Sequence, residues 1–133
     1  MLRIAICDDL ETDRAAACRG GELYLSAHPE LNGRIDVFSN PSALLDAMES
    51  GAAWEIALLD VYMPGISGTQ VAQALSAQMK DLTFLFLTTS TDHAVEAFAL
   101  GAAHYLVKPF TQEQLSPALD RAAAPHLKRK TEG

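Results

Sequence analysis

The chain has only two cysteines in 133 residues, Cys7 and Cys18, and their spacing fits neither a disulfide framework nor a zinc site. A reducing compartment suits such a chain best. Nor does it contain an apolar run near the ~18 residues of a membrane span. The apolar start, Met1 to Cys7, is stopped by Asp8-Asp9 before a signal-peptide core can form. The expectation is a soluble, cytoplasmic protein with no membrane partner. Basic residues are also few: ten Lys plus Arg face seventeen Asp plus Glu, a formal net charge of −7. That balance argues against direct nucleic-acid binding or broad attraction to anionic lipid. Charged residues make up only 20% and hydrophobic residues 49%, which excludes the composition of a disordered chain. One globular domain remains, of a size at which folding buries roughly two-thirds of the chain's surface. Its acid surplus needs an explanation.

Five short apolar runs have the length of strands: Leu2 to Cys7, Arg34 to Phe38, Ile56 to Leu59, Thr83 to Leu87 and His104 to Val107. Segments of helical length lie between them. The first, about Glu11 to His28, spaces Ala16, Ala17, Gly20, Leu23, Tyr24 and Ala27 as an inward stripe. Gly20-Gly21 should weaken it by ~1 kcal/mol per glycine. The second opens with Ser39 or Asn40 as cap and Pro41 in its first turn, then carries Leu44, Leu45 and Met48 inward. The third, about Ser67 to Lys80, turns Val71, Ala74, Leu75 and Met79 inward, and the fourth, about Asp92 to Leu100, buries Val95 and Phe98. A fifth follows the Thr111-x-x-Gln114 capping box. Pro117 then demands either a kink or a later start. From residue 125 to 133 the basic, polar segment reads as a linker or frayed tail, leaving 2–124 as the folded domain.

Alternation of strand and helix predicts an α/β fold: a doubly wound, five-stranded parallel sheet with helices on both faces. Ile56 to Leu59 and Phe84 to Leu87 are apolar throughout, as strands covered on both faces should be. Ligands in such sheets bind at the carboxyl ends of the strands. Those ends carry Asp8 and Asp9, Asp60, Thr88 and Lys108. Each has an ordinary reading alone, as a turn residue, a cap, a strand-end hydroxyl or a surface charge. Their placement at one end of one sheet favours a common site. Three adjacent carboxylates at an effective dielectric of ~20 repel by roughly 4 kcal/mol per close pair. A hard divalent ion such as Mg²⁺, with Lys108 beside it, offsets that charge.

Four segments carry a family resemblance: Ile6-Cys7-Asp8-Asp9, Leu58 to Gly68 around Asp60, Phe86-Leu87-Thr88-Thr89-Ser90, and Gly101 to Phe110 around Lys108-Pro109. In these the chain resembles the receiver domain of two-component response regulators, with its flavodoxin-like (CheY-like) (βα)5 fold. Residues 94–102 further resemble receivers that precede LytTR-type DNA-binding domains. The resemblance implies that Asp60 is the phosphoacceptor for a sensor histidine kinase. It implies that Asp8, Asp9, Asp60 and the Tyr62 carbonyl hold Mg²⁺, and that Thr88 and Lys108 assist catalysis. A cis Lys108–Pro109 bond, a Thr88–Tyr105 switch, and tuning of dephosphorylation by Tyr62 and Ser90 also follow from it. So does a partner or homodimer surface on the fourth helix, fifth strand and fifth helix. The output is expected to be transcription, through a DNA-binding domain outside these residues. Bulky Tyr62 is expected to shield the acyl phosphate from water.

Three rival readings remain at this point. A Mg-dependent aspartyl-phosphate phosphatase needs similar groups but usually shows Asp-x-Asp after its first strand, where this chain has Asp8-Asp9-Leu10. An FMN carrier of the same fold needs a Ser/Thr/Gly-rich phosphate loop, and residues 8–13 contain none. A degenerate receiver, serving as a constitutive binding module, would be expected to have lost some of Asp8, Asp9, Asp60, Thr88 and Lys108.

Overall fold

The computed structural model describes residues 1–89, 97 and 99–132, with no side chains for 128–132. Five strands, β1 (Arg3–Cys7), β2 (Arg34–Phe38), β3 (Ile56–Asp60), β4 (Thr83–Thr88) and β5 (His104–Val107), form one sheet in the order β2-β1-β3-β4-β5. Every pairing is parallel. Helices α1 (Glu11–Ala27), α2 (Pro41–Glu49), α3 (Gly68–Gln78) and the C-terminal α4 (Gln112–Glu132) cover it, with a short 3-10 turn at Pro29–Leu31. The helix expected over 92–100, with Val95 and Phe98 inward, lies almost wholly outside the described residues.

Two apolar clusters sandwich the sheet. One joins Ala5, Leu59 and Phe86 to α2 and α3 through Leu44, Met48, Val71 and Leu75. The other joins Ile6, Leu58 and Leu85 to α1 and α4 through Ala17, Tyr24, Leu115 and Leu119. The continuous apolar character of β3 and β4 follows, since successive side chains enter opposite cores.

Helix starts follow local chemistry. Asn40, not Ser39, caps α2, its side chain accepting from the Ala43 N–H at 2.8 Å with Pro41 in the first turn. Ser67 and Gln70 close a reciprocal capping box on α3. Thr111 and Gln114 do the same for α4, at 3.2 Å and 2.9 Å.

Three expectations need correction. The inward face of α1 is Ala17, Gly20, Gly21 and Tyr24, while Leu23 is 60% exposed and Ala27 lies outside. The reason is close packing: a Cβ on Gly21 would sit 2.9 Å from Ile35 Cδ1, and one on Gly20 would overlap Leu115. The glycines that lower intrinsic helix propensity let α1 approach the sheet and α4. Second, α4 begins at Gln112 and carries Pro117 inside it, so the later start does not occur. Pro117 leaves the Glu113 carbonyl without its helical donor. Third, α4 extends to Glu132, past the residue-124 boundary read from the sequence. The turn before that boundary is held by buried Ala122 and Ala123, with the Thr83 hydroxyl donating to the Ala122 carbonyl at 2.7 Å and lying 3.4 Å from His126 Nε2.

Gly68 fixes where β3 ends relative to α3. Its N–H donates to the Val61 carbonyl at 2.9 Å, and an added Cβ would overlap the Asp60 carbonyl oxygen. Because the obstruction is backbone, no rotamer change relieves it. Gly68→Ala is expected to destabilise the fold by about 1 to 3 kcal/mol, read by urea melts. Unchanged stability would show that the β3–α3 junction yields freely.

Candidate functional site

The order β2-β1-β3 makes β1 and β3 the strands at which the chain's winding reverses, and in such sheets ligands bind at the carboxyl ends of those strands. Cys7 pairs with Leu59, so the register brings Asp8 beside Asp60. Asp60 and Thr88 are the last residues of their strands, rather than the first beyond them. Asp8, Asp60 and Thr88 are the buried polar side chains of the described interior. Lys108 follows β5, its N–H donating to the Thr88 carbonyl at 2.6 Å, and the Lys108–Pro109 bond is cis.

The acids meet. One carboxylate oxygen from each of Asp8, Asp9 and Asp60 lies within 4.8 Å of the others. Asp8 Oδ1 accepts from the Leu10 N–H at 3.0 Å and Oδ2 from Lys108 Nζ at 2.6 Å. Asp60 Oδ1 accepts weakly from the Tyr62 N–H at 3.4 Å and stands 3.5 Å from Lys108 Nζ. Asp9 Oδ1 is buried without a hydrogen-bond partner. Three carboxylates gathered with no nitrogen or sulfur in the donor set, one of them carrying a buried oxygen without a partner, fit a hard divalent cation.

Electrostatics follow from this crowding. Burial pushes the Asp60 carboxyl up to about 6, reinforced by Asp8 and Asp9 and opposed by Lys108 and the Tyr62 N–H. Burial alone would lower the Lys108 ammonium, but hydrogen bonds to Asp8 and Asp13 and the nearby Asp60 raise it overall. Burial and the same acids push the Cys7 thiol up to about 12, so that it remains a protonated core group 3.6 Å from Met63 Sδ. Cys7 and Cys18 are both free.

Of the remaining expected site residues, Tyr62 is 49% exposed at the rim and Tyr105 is buried on β5. Ser90 lies outside the described residues. Two participants escaped the reading by strand ends because they lie on α1. Asp13 accepts from Lys108 Nζ at 3.0 Å, and Arg14 Nη1 donates to the Asp8 carbonyl at 3.0 Å. The available signal was the acid density of residues 8–13, which places Asp8, Asp9, Glu11 and Asp13 in one short stretch.

The family model for the response regulator receiver domain matches residues 4–120. The chain belongs to this family. Among curated relatives, it is 42% identical over 72 residues to the positive alginate biosynthesis regulatory protein of Pseudomonas aeruginosa, covering 54% of this chain and 29% of that one. It is 37% identical over 68 residues to the sensory transduction protein LytT of Oceanobacillus iheyensis, covering 50% and 28%. The chain thus spans under a third of the length of these two relatives. Among solved structures, the TrrA response regulator of Thermotoga maritima, in complex with Mg²⁺ and beryllium fluoride, matches at 29% identity and TM-score 0.69, covering 92% of this receiver and 99% of that chain. Chemotaxis response regulator CheY4 of Vibrio cholerae matches at 26% identity and TM-score 0.73, covering 92% and 98%. No helix among the described residues of the receiver is long and apolar enough to cross a membrane.

Folded Asp60 holds its proton more tightly than the unfolded chain, with a value of about 6 against 3.8. Its contribution to stability is therefore fully present below the unfolded value and lost as pH rises through the folded one. With divalent ions chelated, Asp60→Asn is expected to gain on the parent between about pH 4 and pH 6, reaching up to about 3 kcal/mol at pH 7. Denaturant melts across pH check this, and a pH-independent difference would contradict it.

Proposed function

We propose that this receiver is a phosphoacceptor in two-component signalling, with Asp60 as nucleophile toward a phosphohistidine of a sensor histidine kinase. The supporting observation is the convergence of Asp8, Asp9 and Asp60 around one point, with the buried Lys108 ammonium alongside. An Asp60 carboxylate oxygen attacks phosphorus as the phosphorus–nitrogen bond to the histidine breaks. The imidazole leaves and an acyl phosphate forms. Phosphoryl transfer demands mainly positioning and neutralisation of oxygen charge. The backbone fixes Asp60 at the end of β3, and the 6% exposed Lys108 side chain keeps its ammonium within reach of the new phosphoryl oxygens. The Thr88 hydroxyl donates to another of those oxygens. Mg²⁺ bound by Asp8, Asp9, Asp60 and the Tyr62 carbonyl would supply further positive charge there.

The switch we propose runs from Thr88, drawn toward the phosphoryl group, to Tyr105, which turns into the vacated space on β5. It reshapes the surface formed by the segment over 92–100, β5 and α4, for homodimerisation or partner docking. The output we propose is transcription, since relatives carry names such as transcriptional regulatory protein FixJ and DNA-binding transcriptional activator DevR/DosR. The DNA-binding part would lie outside these residues. Receiver function is assigned to 2–124, with 125–133 as an extension toward that part.

Incubation with Mg²⁺ and acetyl phosphate should add one phosphoryl group by intact mass, and Asp60→Asn should abolish it. An adduct surviving that substitution refutes the assignment, and turnover of many phosphates per chain favours a phosphatase. Half-exposed Tyr62 lies two residues from Asp60, and we propose that its bulk shields the acyl phosphate, so Tyr62→Ala should hydrolyse it several-fold faster. Equal lifetimes would remove its shielding role.

A further inference from the structure

The Lys108 ammonium has three N–H donors. Two are committed away from Asp60: one to Asp8 Oδ2 at 2.6 Å and one to Asp13 Oδ2 at 3.0 Å. Asp60 Oδ1 is farther off, at 3.5 Å. The Asp13 side chain, 30% exposed in the first turn of α1, has no other hydrogen-bond partner among the described residues. It does not cap the helix, whose N-cap residue Leu10 makes no side-chain cap. With Ala16, Pro109 and Phe110, Asp13 and Lys108 border a recess of about 70 Å³. Asp13 also stands outside the cluster of Asp8, Asp9 and Asp60, so a cation bound there would leave its charge unpaired except by Lys108.

We propose that Asp13 is a positioning residue that holds Lys108 on the α1 side of the site and so slows phosphorylation of Asp60. The inference rests on the phosphoacceptor reading. Before transfer, the ammonium is shared between Asp8 and Asp13. After transfer, the phosphoryl oxygens draw the ammonium toward Asp60, 3.5 Å away, while the hydrogen bond to Asp13 pulls it back toward α1. Removing the Asp13 charge relieves that pull in advance. The ion pair opposes phosphorylation by an amount typical of a partly exposed pair, and its loss should quicken the step.

The test compares phosphorylation rates with acetyl phosphate and Mg²⁺, followed by intact mass, in the parent, Asp13→Asn, Asp13→Glu and Glu11→Gln. Asp13→Asn should be about two- to fivefold faster, equivalent to ~0.4 to 1 kcal/mol at 1.36 kcal/mol per decade. Asp13→Glu keeps the charge and should stay near the parent. Glu11→Gln makes the same change of charge in the same helical turn without touching Lys108, and should leave the rate unchanged. Thermal melts of all four separate altered rate from altered fold. An Asp13→Asn rate equal to or below the parent's overturns the inference, as does equal acceleration by Glu11→Gln, which would assign the effect to general charge. A parent that takes up no phosphoryl group defeats the phosphoacceptor reading, and this inference with it. A phosphorylated parent with an unaffected Asp13→Asn defeats the inference alone.

Discussion

Two carboxylates, Asp8 and Asp60, end adjacent strands inside the protein, and the ammonium of Lys108 is brought to them from the far side of the sheet. At short range in a partly dry site, like charges repel by several kcal/mol and opposite charges attract comparably. The arrangement persists because the hydrophobic clusters on both faces hold the strands in register regardless of that repulsion. The folded domain thus maintains a strained charge balance at its edge. A proton on Asp60, a cation among the acids or a redirected Lys108 each relieves it in a different way.

Glycine placement serves the same end. Gly20 and Gly21 let α1 lie close against α4 and β2, and this sets the first turn of α1, with Asp13 and Arg14, against the site. Gly68 brings the start of α3 against the end of β3, pinning the backbone that carries Asp60. Larger residues would move these helices outward and loosen the positions of the charges. Intrinsic helix propensity alone rates these glycines as defects, because it counts the entropy of one helix and none of the packing between helices.

Much of the architecture was legible in the sequence. The five strands, the parallel order and the caps at Asn40 and Thr111 follow from apolar run length and side chains acting within three residues of themselves. Asp8, Asp9, Asp60 and Lys108 were legible as strand-end residues, since a parallel sheet gathers its carboxyl ends on one edge. Local rules misjudged α1 and α4. Leu23 reads as inward by periodicity but lies outside because Gly21 takes the sheet-facing place. Pro117 reads as demanding a kink or a later start, yet α4 begins at Gln112 and continues through Pro117 and Pro125, with Ala122 and Ala123 packed against the sheet.

By itself, the sequence determined which residues become strands and helices, that the sheet is parallel, and that its acids gather with a lysine at one edge. These depend on interactions between near neighbours and on the burial of apolar runs. Only the tertiary structure decided that Lys108 reaches Asp8 at 2.6 Å and Asp13 at 3.0 Å before Asp60 at 3.5 Å, and that Asp9 Oδ1 is left buried without a partner. Those facts depend on how closely α1 is seated and on where a side chain from residue 108 ends among groups a hundred positions away. Charge energies vary steeply over a fraction of an ångström in a dry site, and no local pattern of residues encodes distances of that kind.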